Sequence, residues 1–418
     1  MEVPMKVAAV LSSSRGTGAG RRPRRAGLGL TVAALALVVS GCSGGGSASP
    51  SASSGSGSPV RVTVSPPDGS TGVRLDSTVI VSASGGTLRS VKVTNGSGPA
   101  TPDPSKTPAP PASGPTFLPG QLSSGVWSSS APLEPTATYT VTATVRRPDG
   151  TTVNRSSTFA TLTPVALLKV SIAPLDGQTV GVGMPVALYL SKPVTDHAAF
   201  EARLAVTADP PVGGAWHWFS DTELHWRPAF YWPTGEKVTF NGDLGGFDDG
   251  NGVWSVTPRR MSFAIGVSHV STVDAATHTM TVTENGRVVR VVPVSTGRDK
   301  YPTDSGTHVV SEKEPSVLMD SATVGIPRNS PDGYYETVAW DVRISNSGEF
   351  VHAAPWSLAD QGHANVSHGC VNVSPADGKW FYDFSQTGDV VNVVGTPTAL
   401  APTNGFGDWN VPWAQWSN

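Results

Sequence analysis

Short runs of alternating Val and Thr recur along the chain from Val60 onward: Val60-Arg61-Val62-Thr63-Val64, Ser77-Thr78-Val79-Ile80-Val81, Tyr139-Thr140-Val141-Thr142-Ala143-Thr144-Val145 and Thr158-Phe159-Ala160. A period of two sends successive side chains to opposite faces, so each run reads as a strand with one face for a core. Apolar stripes at helical spacing are scarce, and 46 Gly and 36 Pro punctuate the runs. The pattern predicts a mainly β chain of sandwich-like modules, and 418 residues suffice for two or three separate cores.

An internal repeat sets the module length. Ser65-Pro66-Pro67-Asp68-Gly69-Ser70-Thr71 resembles Ala173-Pro174-Leu175-Asp176-Gly177-Gln178-Thr179, 108 residues on. Each copy follows a Val-rich strand, and Asp-Gly suits a turn that needs positive φ. The spacing matches one immunoglobulin-like β-sandwich, which places two such domains at residues 60–163 and 164–265. About Asn95 to Gly120 is rich in Pro, Ser, Thr and Gly and is expected to be an extended loop. In the second module Trp216, Trp218, Trp226, Phe230, Tyr231 and Trp232 are expected to be core and interface aromatics.

A third unit spans 266–400. His278 to Thr283, a turn at Asn285-Gly286 and Arg287 to Val292 form a hairpin, and strands are expected at Gly306–Val310, Glu349–His352 and Val390–Val394. Ser374-Pro375-Ala376-Asp377 is a helix start with Pro at the first helical position, and the helix is expected to run to about Phe384. The tail, 401–418, carries Trp409, Trp413 and Trp416, costly to leave in water, so it is expected to pack on the protein.

At the N-terminus, Arg21, Arg22, Arg24 and Arg25 precede the apolar run Leu28–Val39, followed by Ser40-Gly41-Cys42. A basic segment, a short apolar run and small residues describe a secretory signal, too short for an ordinary membrane span. Cys after Ser-Gly resembles the lipobox of bacterial lipoproteins. That resemblance implies a signal peptide over 1–41, a lipidated Cys42, and an anchor at the extracytoplasmic face of the cell membrane. An ordinary signal peptide with a chance cysteine is the alternative. Residues 42–59 are Ser/Gly-rich and read as a flexible tether. Cys42 and Cys370 are the chain's two cysteines. With Cys42 carrying lipid no disulfide is left to form, and Cys370 is a lone thiol in an oxidising compartment. A net charge of −3 offers no basic face for nucleic acid.

The chemistry-bearing stretch is Phe350-Val351-His352-Ala353-Ala354, followed by Ser367-His368-Gly369-Cys370-Val371-Asn372. A thiol is a weak nucleophile until ionised, and an imidazole at a strand end can take its proton. Gly369 lets the backbone approach a reacting carbonyl, and the amides of Gly369 and Cys370 are positioned to donate to the oxyanion formed there. Asn372 is placed to hold substrate or the loop itself.

Ser-His-Gly-Cys-Val-Asn with an upstream Val-His resembles the signature of the L,D-transpeptidases, the YkuD-type catalytic domain. The likeness covers about residues 266–418, including Asn329 to Tyr334, Trp340, Ser347-Gly348 and Gly407-Asp408-Trp409-Asn410. It implies that Cys370 attacks the carbonyl before the terminal D-alanine of a peptidoglycan tetrapeptide stem. The amine of a second diaminopimelate then resolves the thioester into a 3→3 cross-link. The family's general base matches His352, oriented by the carbonyl of Ala353. Tyr334, Ser347, Gly348 and Asn372 match substrate-holding positions, Ser367 and His368 shape the nucleophile loop, and His368 is the rival base. The family is characteristically acylated by β-lactams of the carbapenem class, and the resemblance implies no cofactor. Val324 stands in the flap-like Met319–Val324 segment where relatives carry an aromatic. Asp243-Leu244-Gly245-Gly246-Phe247 lacks the acid of a cation site found in some relatives, so no essential metal is expected.

Two other readings compete. His352, His363, His368 and Cys370 are four potential zinc ligands within 19 residues, though no Cys-x-x-Cys or His-Glu-x-x-His frames them. An immunoglobulin-like wall adhesin with an inactive last domain is the non-enzymatic alternative. A sortase would need a Thr-Leu-x-Thr-Cys motif that this chain lacks.

Overall fold

The computed structural model describes residues 59–97 and 116–418. The signal segment, Cys42 and almost all of the tether lie outside the described residues, as does most of the loop expected after Asn95. The alternating runs pair as strands. Arg61–Ser65, Ile80–Ser84, Val126–Ser129 and Gly120–Ser123 form one sheet in that order. Ser70–Val73, Thr152–Thr161, Ala137–Arg146, Thr87–Ser97 and Thr116–Phe117 form the second. Along Ala137–Arg146 every other residue is buried, and Tyr139, Val141, Ala143 and Val145 enter the core with Trp127 and Phe159. The expected loop begins later than its composition suggests. Asn95 lies opposite Tyr139 and Gly96 opposite Thr138, because backbone pairing at a sheet's outer half needs no apolar side chain.

The second sandwich pairs Val170–Ala173, Val186–Leu190, Glu223–Pro228 and Gly214–Ser220 against Thr179–Val180, Arg259–Ile265, Lys237–Gly242 and Leu204–Asp209. The repeat does the same work in both modules. Asp68 Oδ1 accepts the Thr158 amide at 2.7 Å and Asp176 Oδ1 accepts that of Ser262 at 2.7 Å. Gly69 and Gly177 follow at φ +75° and +78°, the left-handed region that the Asp-Gly pair predicts. Of the aromatic cluster, Trp226 and Trp232 are buried, but Phe230 is 85% exposed and is not a core residue. Its neighbours take the inward places: Tyr231 packs edge-on against Trp409 at 4.6 Å and Trp232 enters the core.

The last unit is built on two further sheets. Arg287–Pro293, Thr279–Glu284, His269–Asp274, Val390–Val394 and Gly306–Val309 form one, and Glu312–Asp320, Tyr335–Arg343, Phe350–Ala353 and Val371–Val373 the other. Val273, Val282, Val342, Val351, Val373 and Val391 fill the space between them. The helix Pro375–Phe384 starts at Ser374, whose hydroxyl accepts the Asp377 amide at 3.1 Å. It lies hard against the strand that carries His352, since a Cβ on Gly378 would stand 2.9 Å from the Ala353 nitrogen.

The tail fastens this unit to the second sandwich. Trp416 is fully buried and donates Nε1–H to the Ala215 carbonyl at 2.9 Å, and Trp409 donates to Gly183 at 2.8 Å. The Arg227 guanidinium lies 4.6, 5.4 and 4.3 Å from the ring centres of Trp409, Trp413 and Trp416.

Candidate active site

Phe350–Ala353 and Val371–Val373 run parallel, with Val351 opposite Val371 and His352 opposite Asn372. Cys370 therefore arrives at the sheet one place ahead of Val371, diagonal to His352. Both line one cavity of about 190 Å³, together with Tyr334, Glu336, Trp356 and His368. The residues flanking His352 are fully apolar and buried, which fixes the strand and leaves the imidazole no freedom to swing.

His352 is buried, and its Nδ1 lies 3.0 Å from the Ala353 carbonyl. A carbonyl only accepts, so Nδ1 carries the proton and Nε2 keeps its lone pair. Burial pulls the imidazole down to about pKa 4, and the Ala353 hydrogen bond offsets this only in part. Cys370 is half-buried, and loss of solvent around its sulfur pushes the thiol up to about 12. The Phe350 N–H pulls it down, while Glu349 and Asp341 push it further up. At rest the cavity thus holds a neutral thiol and a neutral imidazole with a free lone pair.

His368 occupies a different environment. Its Nε2 stands 2.8 Å from Arg298 Nη2, and a guanidinium only donates, so that nitrogen is already an acceptor in use. Arg298 and Lys300 both reach Asp332, each at 2.5 Å, and the ring is flanked by Tyr301 and Tyr334 at 5.2 and 5.1 Å. Burial and then the charge of Arg298 hold the His368 imidazole below its ordinary pKa. The nitrogen that a base would use is thus already occupied by Arg298.

The nucleophile loop is cross-braced. Ser367 Oγ donates to the Cys370 carbonyl at 2.6 Å and accepts the Gly369 amide at 3.1 Å. Thr303 Oγ1 donates to the Gly369 carbonyl at 2.7 Å. Gly369 sits at φ +124°, a conformation other residues rarely adopt. Of the two amides expected to serve an oxyanion, that of Gly369 is donated to Ser367 Oγ in this structure.

Tyr334 lines the cavity, and burial with the nearby Cys370 lifts its phenol to about 12, so it is a proton donor at neutral pH. Ser347 and Gly348 line a second, larger cleft on the far side of the flap, which shares Met319 and Tyr334 with the first. Gly348 nonetheless meets the nucleophile, its carbonyl 3.6 Å from Cys370 Sγ. Val324 closes the flap turn, 3.5 Å from where a Gly348 Cβ would stand. Asn372 is buried and donates to Ser357 Oγ at 3.1 Å, which ties the loop carrying Trp356 to the nucleophile strand. His363 does not line the cavity, and the four candidate zinc ligands are not brought together. Arg298, Thr303 and Glu336 reach this region without a sequence signal. Local spacing does not connect Arg298 with His368, 70 positions apart.

A model of the L,D-transpeptidase catalytic domain (YkuD) matches residues 268–393, and one of a bacterial Ig domain matches 114–248. L,D-transpeptidase 2 of Mycobacterium tuberculosis is 39% identical over 359 residues, covering 85% of this chain and 84% of that protein. The chain belongs to the L,D-transpeptidase family. L,D-transpeptidase 1 of the same species is 39% identical over 54% of this chain and 84% of its own length. A solved LD transpeptidase in complex with imipenem is 36% identical, with a TM-score of 0.49, and covers 55% of this chain and 100% of its own. Family membership agrees with the mainly β architecture and supports an acyl-transfer activity.

Proposed function

We propose that this transpeptidase forms 3→3 peptidoglycan cross-links through a thioester on Cys370. The observation that supports the reading is the cavity that Cys370 shares with His352, whose Nδ1 is held by Ala353 and whose Nε2 is left with its lone pair. As sulfur attacks the donor carbonyl, His352 takes the thiol proton, so charge appears only during the reaction. The Tyr334 hydroxyl, which lines the same cavity, donates to the oxyanion. The imidazolium then protonates the departing D-alanine amine, and a second stem's diaminopimelate amine displaces the thiolate. Carbapenems present a strained acyl group to the same sulfur and are expected to acylate it. Lipid attachment at Cys42, at the extracytoplasmic face of the membrane, belongs to the same proposal and rests on the lipobox resemblance.

Incubation of the protein with tetrapeptide-containing muropeptides, followed by mass spectrometry, tests the activity. Dimers joined between two diaminopimelates, with D-alanine released, are expected. Trimmed monomers alone would replace cross-linking by a carboxypeptidase role.

A further inference from the structure

Glu336 supplies the only carboxylate among the residues lining the thiol's cavity. It lies opposite Met319 in the strand pair above the site and close enough to Tyr334 to raise that phenol's pKa. Among the described residues the nearby cations are already committed, Arg298 and Lys300 to Asp332 and Arg328 to Asp320. Glu336 has no ion-pair partner among them. Partial loss of solvent holds its carboxyl above the usual range, the mark of a carboxylate whose counter-charge is not part of the fold.

We infer that Glu336 is a specificity-determining residue that holds the ammonium group of the acceptor stem beside the thioester. The inference rests on the thioester reading above. At neutral pH a primary amine arrives as an ammonium ion, and Glu336 and the sulfur line the same cavity of about 190 Å³. The captured ammonium loses one proton to solvent. Its nitrogen then bonds to the thioester carbon, its second proton passes to His352, and the C–S bond breaks with the electron pair on Cys370. Water and uncharged nucleophiles gain nothing from Glu336, so the carboxylate biases the acyl-enzyme away from hydrolysis.

The test follows the fate of the acyl-enzyme in the full-chain protein. The thioester is first formed with a donor tetrapeptide whose N-terminal and diaminopimelate amines are both acetylated, so no amine of the donor competes with the acceptor's. Its appearance is checked by intact mass; no thioester in the unmodified protein would overturn the transpeptidase reading itself, and this inference with it. Partition between water and a cationic acceptor, a second tetrapeptide, is then compared with partition to hydroxylamine, which is uncharged at neutral pH. Glu336→Gln is expected to lower the tetrapeptide-to-water ratio about fivefold, the worth of a partly exposed ion pair, and to leave the hydroxylamine ratio in place. Raising salt should lower the unmodified protein's tetrapeptide ratio and not the variant's. Equal losses for both acceptors, or no loss for either, would overturn the assignment.

Discussion

At the residue scale the two histidines of the motif differ in what their nitrogens touch. His352 keeps a free Nε2 because Ala353 occupies Nδ1, whereas His368 Nε2 is taken by Arg298. His352→Ala should therefore lower acylation at least a hundredfold, within the range general-base removal costs. His368→Ala should act through loosening of the Ser367–Cys370 loop and be partly compensated at high substrate. Stopped-flow acylation of both variants decides it, and an inert His368→Ala beside a near-normal His352→Ala would reverse the roles. The pH dependence follows from the same contacts. Burial keeps His352 neutral down to about pH 4, so acylation should persist well below the range in which a free imidazole protonates. The apparent value belongs to the Cys370/His352 couple. An acid limb centred near 6.5, the ordinary imidazole value, would contradict the buried environment of His352. Both residues were legible in the sequence because the motif is local. Glu336 and Arg298 were not, since strand register brings the first to the cavity and a contact across 70 positions ties the second to His368.

At the scale of elements the tail shows what holds the catalytic unit to the second sandwich. His225 and Asp408 meet at 2.8 Å, both fully buried. Burial alone would push His225 down, but the Asp408 carboxylate, helped by Glu223, lifts it to about 9. A raised folded-state pKa means that the pair's stabilisation is fully present below about pH 6.5, the unfolded value, and is lost as pH rises through about 9. Asp408→Asn leaves a buried histidine without its counter-charge and should cost about 3 kcal/mol near pH 6. Urea unfolding at pH 6 and above pH 9 measures it: the gap between the two proteins should narrow at the higher pH. A gap that is constant with pH would remove the charge from the account. The helix at Pro375 and the hairpin around Asn285-Gly286 could be read from capping and turn chemistry alone. The outward Phe230 could not, because which of three successive aromatics turns away depends on the docked tail.

For the whole molecule, the Asp-Gly repeat foretold two like modules, and the same Asp-to-amide bond recurs in both at equal length. The sandwiches stand between the N-terminal segment and the catalytic unit in chain order, and the proposed lipid on Cys42 would make that segment the membrane attachment. Cys42→Ala should release the protein from membrane fractions, since a diacylglyceryl group is the apolar attachment proposed. Retention of the variant in those fractions would contradict the anchor.

Everything at the site converges on one sulfur, and intact-protein mass spectrometry with a carbapenem interrogates it directly. One adduct per chain is expected, mapping to the peptide that contains Ser367 to Asn372 and absent from Cys370→Ser. A folded protein that takes no adduct, or an adduct that survives Cys370→Ser unchanged, would contradict Cys370 as the nucleophile.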